Sequence, residues 1–185
     1  MLKGNKSKKN LIFAFLLIML MIIFSFNVLA ATYIYYGRGA ISTWNQISTG
    51  GLDLKYSGSL SASMQAWNNK TLNVGTINFF YNSNGSNSVK SANASDSWYG
   101  LYTPQGYQFL FFGRCNSFQI TINNRIVPNN NNFRQSVFVH ELGHALCLDD
   151  NPSSGNASIM NYDRDRYTLI NPTSNDVAGV NYAYN

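Results

Sequence analysis

Glutamate and histidine are almost missing from this 185-residue chain. There is one glutamate, Glu141, and there are two histidines, His140 and His144. Asp, Glu, Lys and Arg together make up only 11% of the residues. These shortages exclude site types. A zinc site of three histidines cannot be built, nor one completed by a distal glutamate. The two cysteines, Cys115 and Cys147, allow one disulfide at most, and the sequence leaves open whether it forms. No internal repeat is present.

The formal charge of +5 suggests a basic protein, but its source is local. Lys3, Lys6, Lys8 and Lys9 precede an apolar run over residues 11–26, and Val28-Leu29-Ala30 follows with a small residue at its end. A basic start, an apolar stretch and a small-residue exit make up a secretory signal peptide over residues 1–30. The alternative is an uncleaved anchor, since the run is about long enough to span a bilayer. Beyond residue 30 nine Lys and Arg face eight Asp and Glu, a net of +1. No basic stripe remains for nucleic acid. Residues 31–185 suffice for one domain with its own core. They are rich in Tyr, Phe, Asn, Ser and Gly, which suits a secreted protein of β structure and long polar loops.

The scarce residues lie side by side. His140-Glu141-Leu142-Gly143-His144 is an H-E-x-x-H motif. Residues i and i+4 share a helix face, so both imidazoles can turn to one point that suits a divalent metal, most often zinc. Glu141 is placed to act as general base toward a water activated by that metal. The motif helix is expected over residues 133–146, with Asn132 as its N-cap. The third ligand must then be an Asp, a Cys or a weaker group. Asp150, six residues after His144, reaches the metal only if the chain turns back; the rival is Asp176, where Thr173-Ser174-Asn175-Asp176 is faintly similar to the downstream Thr-x-x-Asp of aspzincins.

Other elements follow from periodicity. Leu60, Met64 and Trp67 give a helix over residues 57–68, capped by Ser59 or Ser61. Strands are expected over residues 32–36, 72–81, 98–102, 107–112 and 118–123. Residues 37–51 read as irregular, residues 82–96 as a long Asn/Ser/Gly loop, and Pro104-Gln105-Gly106 as a turn.

The stretch from His140 to Asp150 resembles the extended metzincin signature H-E-x-x-H-x-x-G-x-x-H/D, with Asp150 on the third-ligand position. Ser158-Ile159-Met160-Asn161-Tyr162 looks like the Met-turn of that clan. Residues 171–184 are similar to the C-terminal helix of matrixin-type catalytic domains, with Ser174 as its cap. The likeness is carried by residues 133–184. It implies an α+β, metzincin-like fold: a mixed twisted β-sheet with an active-site helix, a first helix and a C-terminal helix. Residues 31–185 would form one matrixin-like catalytic domain.

The resemblance also implies roles. Zinc would be held by His140, His144 and Asp150, with Glu141 as catalytic base. Tyr162 would stabilise developing negative charge, and Met160 would form an apolar floor under the ligands. A protein or peptide substrate would lie along the strand over residues 118–123. Ca²⁺ at Asp163 or Asp165 is a further expectation. The chain would be a secreted, monomeric zinc endopeptidase. The alternative is a catalytically weak scaffold of the same kind, acting as an extracellular or cell-surface binding module. Two departures from the family pattern stand out. Cys147 replaces the glycine that lets the chain leave the helix at positive φ, and no histidine remains for a second, structural zinc.

Overall fold

The computed structural model describes residues 33–73, 75–107 and 113–185. The leader expected over residues 1–30 lies outside these residues, as does most of the strand expected over 107–112. Among the described residues no helix is long and apolar enough to cross a membrane.

A five-stranded sheet forms the frame. In chain order its strands are β2 (Trp44–Gly51), β5 (Asn78–Tyr81), β6 (Asn87–Ala92), β7 (Gly100–Tyr107) and β8 (Cys115–Asn123). In space the order is β5-β2-β6-β8-β7. The pairs β5/β2, β2/β6 and β6/β8 are parallel, and β7 joins β8 antiparallel. β7 is therefore an edge strand. Two short ribbons complete the strands: β3 (Thr71–Leu72) with β4 (Gly75–Thr76), and β1 (Ile34–Tyr35) with β9 (Leu148–Asp149).

Three helices accompany the sheet: α1 (Ser57–Asn68), α2 (Asn131–Ala145) and α3 (Ser174–Tyr184). α1 and α2 pack on each other, α1 against β5 and α2 against β7. Leu60, Met64 and Trp67 of α1 are buried in the core with Phe138 and Leu142 of α2 and Ile120 and Ile122 of β8. The Trp67 indole N–H donates to the Val139 carbonyl at 2.9 Å, which fixes the two helices in register. Burying an aromatic of this size stabilises by about 1.5–3 kcal/mol.

Several sequence expectations are corrected. Residues 44–51 form a strand, as do residues 87–92 within the expected loop. β7 runs straight through Pro104, which faces Phe118 in register. An edge strand tolerates proline because alternate N–H groups point away from its neighbour. The strand expected over residues 72–81 is broken into β3, β4 and β5. The cap of α2 is Asn130, whose side chain accepts from Phe133 N at 3.0 Å, not Asn132. The cap of α3 is Thr173, not Ser174. Neither Ser59 nor Ser61 caps α1, which begins at Ser57 directly after a 3-10 turn over Leu54–Tyr56. The strand expected to hold substrate is β8, which is interior, so it has no free edge.

Candidate metal centre

The last two turns of α2 carry His140 and His144 on the face toward β7 and β9. Each imidazole is oriented by a backbone carbonyl: His140 Nδ1 lies 3.0 Å from Ile159 O, and His144 Nδ1 lies 2.8 Å from Leu148 O. A carbonyl can only accept, so each ring keeps its proton on Nδ1 and leaves a lone pair on Nε2. The Arg164 guanidinium also approaches His140 Nδ1, at 3.2 Å. Arginine can only donate, so with Nδ1 protonated this contact is packing. Rings of Tyr36 and Tyr102 stand 5.7 Å and 5.9 Å from the His144 ring and limit its rotation.

Asp150 arrives on the return loop. Its Oδ1 lies 3.2 Å from His140 Nε2 and 3.8 Å from His144 Nε2. That oxygen is buried and has no proton donor. Three lone-pair atoms, all within 4.8 Å of one another, thus face a common point. Such a set is repulsive unless a cation joins it, so the donors present fit a zinc ion with three protein ligands. Among the described residues this is the one group of three or more metal-ligating side chains.

The bend that brings Asp150 back passes through Cys147, at φ 68°. A non-glycine residue there costs about 1–2 kcal/mol. The strain is offset on both sides of the bend. Tyr36 N donates to Cys147 O at 2.6 Å, and Ala40 N donates to Ala145 O at 2.8 Å. β1 then pairs with β9, matching Ile34 to Asp149 and Tyr35 to Leu148. Gly39 makes this possible, because a Cβ there would overlap the Cys147 backbone nitrogen and sulfur. Both cysteines are free and buried. The Cys147 thiol meets Tyr184 Oη at 3.5 Å, and the Cys115 thiol meets Tyr102 Oη at 3.2 Å.

Glu141 is buried in the wall of the same cleft, beside Gly100 of β7. Burial pushes its carboxyl up to about 7, against the lowering effect of His144 and Arg164. Burial also pushes His140 down to about 4. For Asp150 burial acts upward, and positive charge facing it, on Arg164 or on an imidazole that has taken up a proton, outweighs burial and holds the carboxyl below its ordinary value.

The segment after the return loop supports the ligands from below. Met160 is buried, with its sulfur against Gly143 of α2. Asp176, the rival third ligand, is fully engaged elsewhere. Its carboxylate accepts from Ser158 Oγ at 2.5 Å, Ile159 N at 3.1 Å and Thr173 N at 2.7 Å. It closes the capping box of α3 and does not reach the cluster. Tyr162 is half-exposed and lines the cavity with Glu141 and Asp150, but it donates to none of the ligand side chains. Asp165 is occupied by Tyr167 N and the Thr168 hydroxyl, and neither Asp163 nor Asp165 joins a group of ligating residues.

Sequence reasoning missed Arg164. This buried residue donates from Nε to Ser136 Oγ at 3.1 Å, from Nη2 to Ser136 O at 2.9 Å and from Nη1 to Asn161 O at 2.7 Å. It ties the Met160 segment to α2, and burial brings its guanidinium down to about 9. The signal was the run Asp163-Arg164-Asp165-Arg166 in a chain otherwise poor in charge. Gly100, Trp98 and Tyr99 also line the site and were read only as strand.

No family model matches the chain, and no curated protein matches it. Among solved structures, the chain is similar to a chain of the GM1-bound form of the ECX AB5 holotoxin. The TM-score is 0.53 at 16% identity, over 83% of this chain and 84% of that one. The likeness therefore spans most of both chains and concerns the fold. It corrects the metzincin-like fold expected from the sequence: the shared architecture is that of an AB5 holotoxin chain. The physical reason lies in what carried the expectation. A ligand motif over residues 133–184 constrains one helix and a return loop, whereas all five sheet strands lie before residue 124.

Proposed function

We propose that the protein is a zinc-dependent endopeptidase, and that the leader-like residues 1–30 direct it out of the cell. The observation that carries this reading is the convergence of His140 Nε2, His144 Nε2 and Asp150 Oδ1 beside a buried Glu141. The likeness to metzincins is kept for this site motif alone. Zinc, when bound, supplies Lewis acidity toward a water and toward a peptide carbonyl oxygen. The chain's own residues do the rest. The two Nδ1–H groups hold the imidazoles in the ligating tautomer. Glu141 takes a proton from the attacking water and returns it to the leaving amine. Among the described residues β7 pairs with β8 alone, and beside Glu141, whose carboxylate accepts from the Tyr102 backbone, an extended peptide can add along its outer edge. Trp98, Tyr102 and Tyr36 line the cleft around these groups.

Purified protein tested on casein or gelatin should show cleavage that a chelator stops and that Glu141→Gln lacks. Absence of such cleavage would sink this reading.

One observation favours a second reading. A solved fold neighbour is a toxin chain in a GM1-bound form. That likeness supports the alternative, a catalytically weak extracellular or cell-surface binding module, more directly than it supports hydrolysis. On that reading the protein binds GM1-bearing vesicles, and Glu141→Gln binds them equally well.

A further inference from the structure

Beyond the ligand cluster the cleft continues into a cavity of about 320 Å³. Ser97–Gly100, Arg164 and Arg166 are among its lining residues, and His140, Glu141 and Asp150 are common to the cavity and the cleft. The two arginines differ in one respect. Each guanidinium nitrogen of Arg164 has a partner on Ser136 or Asn161. The Nε of Arg166 is buried without one, and no hydrogen bond or ion pair to its side chain occurs among the described residues.

Arg166 is held by rings instead. Its guanidinium carbon lies 4.9 Å from the Tyr99 ring centroid and 5.8 Å from that of Phe133. These rings are themselves in edge contact, with centroids 4.9 Å apart. Stacking fixes the plane of a guanidinium and leaves its in-plane N–H groups free, in a fork that matches a carboxylate. Asp163 and Glu141 are the carboxylates that act on it electrostatically, and neither pairs with it. A guanidinium without a carboxylate partner carries uncompensated charge, which a ligand carboxylate would offset.

We propose that this cavity takes an aspartate or glutamate side chain from the residue flanking the scissile bond, and that Arg166 is the specificity-determining residue. The inference rests on the peptidase reading, because the cavity opens directly beside Glu141. A neutral amide of the same shape would forgo the charge-assisted pair, so the acidic side chain should be preferred by about 10- to 100-fold.

The test uses two labelled heptapeptide pools that differ only in a fixed central Glu or Gln. Cleavage is measured with the zinc-loaded protein and with its Arg166→Gln and Arg166→Lys variants. Binding is measured by anisotropy on Glu141→Gln, with and without Arg166→Gln, and needs no turnover. The expected result is a 10- to 100-fold higher kcat/KM and affinity for the Glu pool. The ratio should fall toward one in Arg166→Gln and stay intermediate in Arg166→Lys, which keeps the charge and loses the fork. Cleavage with no acidic preference, or a preference that survives Arg166→Gln, overturns the inference and spares the peptidase reading. If the wild type cleaves neither pool, the peptidase reading fails and binding decides the cavity: Arg166-dependent capture of the Glu pool upholds it, and equal binding of both pools overturns it.

Discussion

A methyl group added at Gly100 would lie 2.5 Å from Glu141 Oε1 and 2.7 Å from its Cγ. Real carbons do not approach so closely, and Glu141 is buried, so its carboxylate must move while the strand stays paired with β8. A base displaced by about 1 Å loses about 100-fold in rate. Gly100→Ala should therefore lower kcat/KM by about that factor. Zinc content should stay at the wild-type level, since the three atoms nearest the added carbon all belong to Glu141 and none to a ligand. Kinetics beside metal analysis would check this, and unchanged turnover would show that Glu141 does not act from its present position. At this scale the sequence is informative in an uneven way. Ligand spacing is local, so His140, His144 and Glu141 can be read from five residues. Asp150 could be named but not secured, because its reach depends on Cys147. The strained turn at that residue holds only because Gly39 and Tyr36, more than a hundred residues earlier, pack and bond against it.

The elements that hold the ligands are tied by side chains the sequence pattern does not rank. Asp176, in the first turn of α3, reaches back to Ser158 and Ile159. Ile159 O in turn orients His140. Replacing Asp176 with Asn puts an amide donor among groups that are themselves donors. The expected loss is about 2–4 kcal/mol of stability, from the charge-assisted bonds and the cap together. Asp150→Asn should do the opposite, with little change in the urea midpoint of the zinc-free protein and zinc affinity reduced more than about 100-fold, beyond the range of outer-shell changes. Paired urea and zinc-competition titrations separate these outcomes. If Asp176→Asn lost zinc without losing stability, Asp176 would be the ligand and Asp150 would not. The strands missed from the sequence fail for a related reason. β2 and β6 are built largely of Asn, Ser and Gly, which locally favour turns. Burial overrides that preference. Asn87 is buried, donates to Gln46 O at 3.0 Å and accepts from Phe118 N at 3.1 Å, which links β2, β6 and β8. A polar residue satisfied on both neighbours is as good a core position as a valine, but no single-sequence pattern shows it.

Across the whole molecule the three ligands join segments that the chain keeps far apart. His140 and His144 belong to α2, while Asp150 follows β9, which pairs with β1 near the start of the described residues. α3 packs on both β1 and β9. A zinc ion would thus add a link between the motif helix and the ribbon that holds both ends of the fold. Binding to the native state alone stabilises it by RT ln(1 + [L]/Kd), or about 2.7 kcal/mol at a hundredfold excess over Kd. For a domain of this size each kcal/mol shifts Tm by about 2–4 °C. Chelation should therefore lower Tm by about 5–10 °C, and re-added zinc should restore it. The shift should vanish in Asp150→Ala and persist in Glu141→Gln, because the first removes a ligand and the second only the base. The measurement is thermal unfolding of wild type and both variants, with and without chelator. A chelator-insensitive wild type would remove zinc from the protein, and with it the hydrolytic reading of the cleft, leaving the toxin-like fold as a binding scaffold. A shift that persisted in Asp150→Ala would move the metal to other residues and leave the lone pair of Asp150 Oδ1 unexplained.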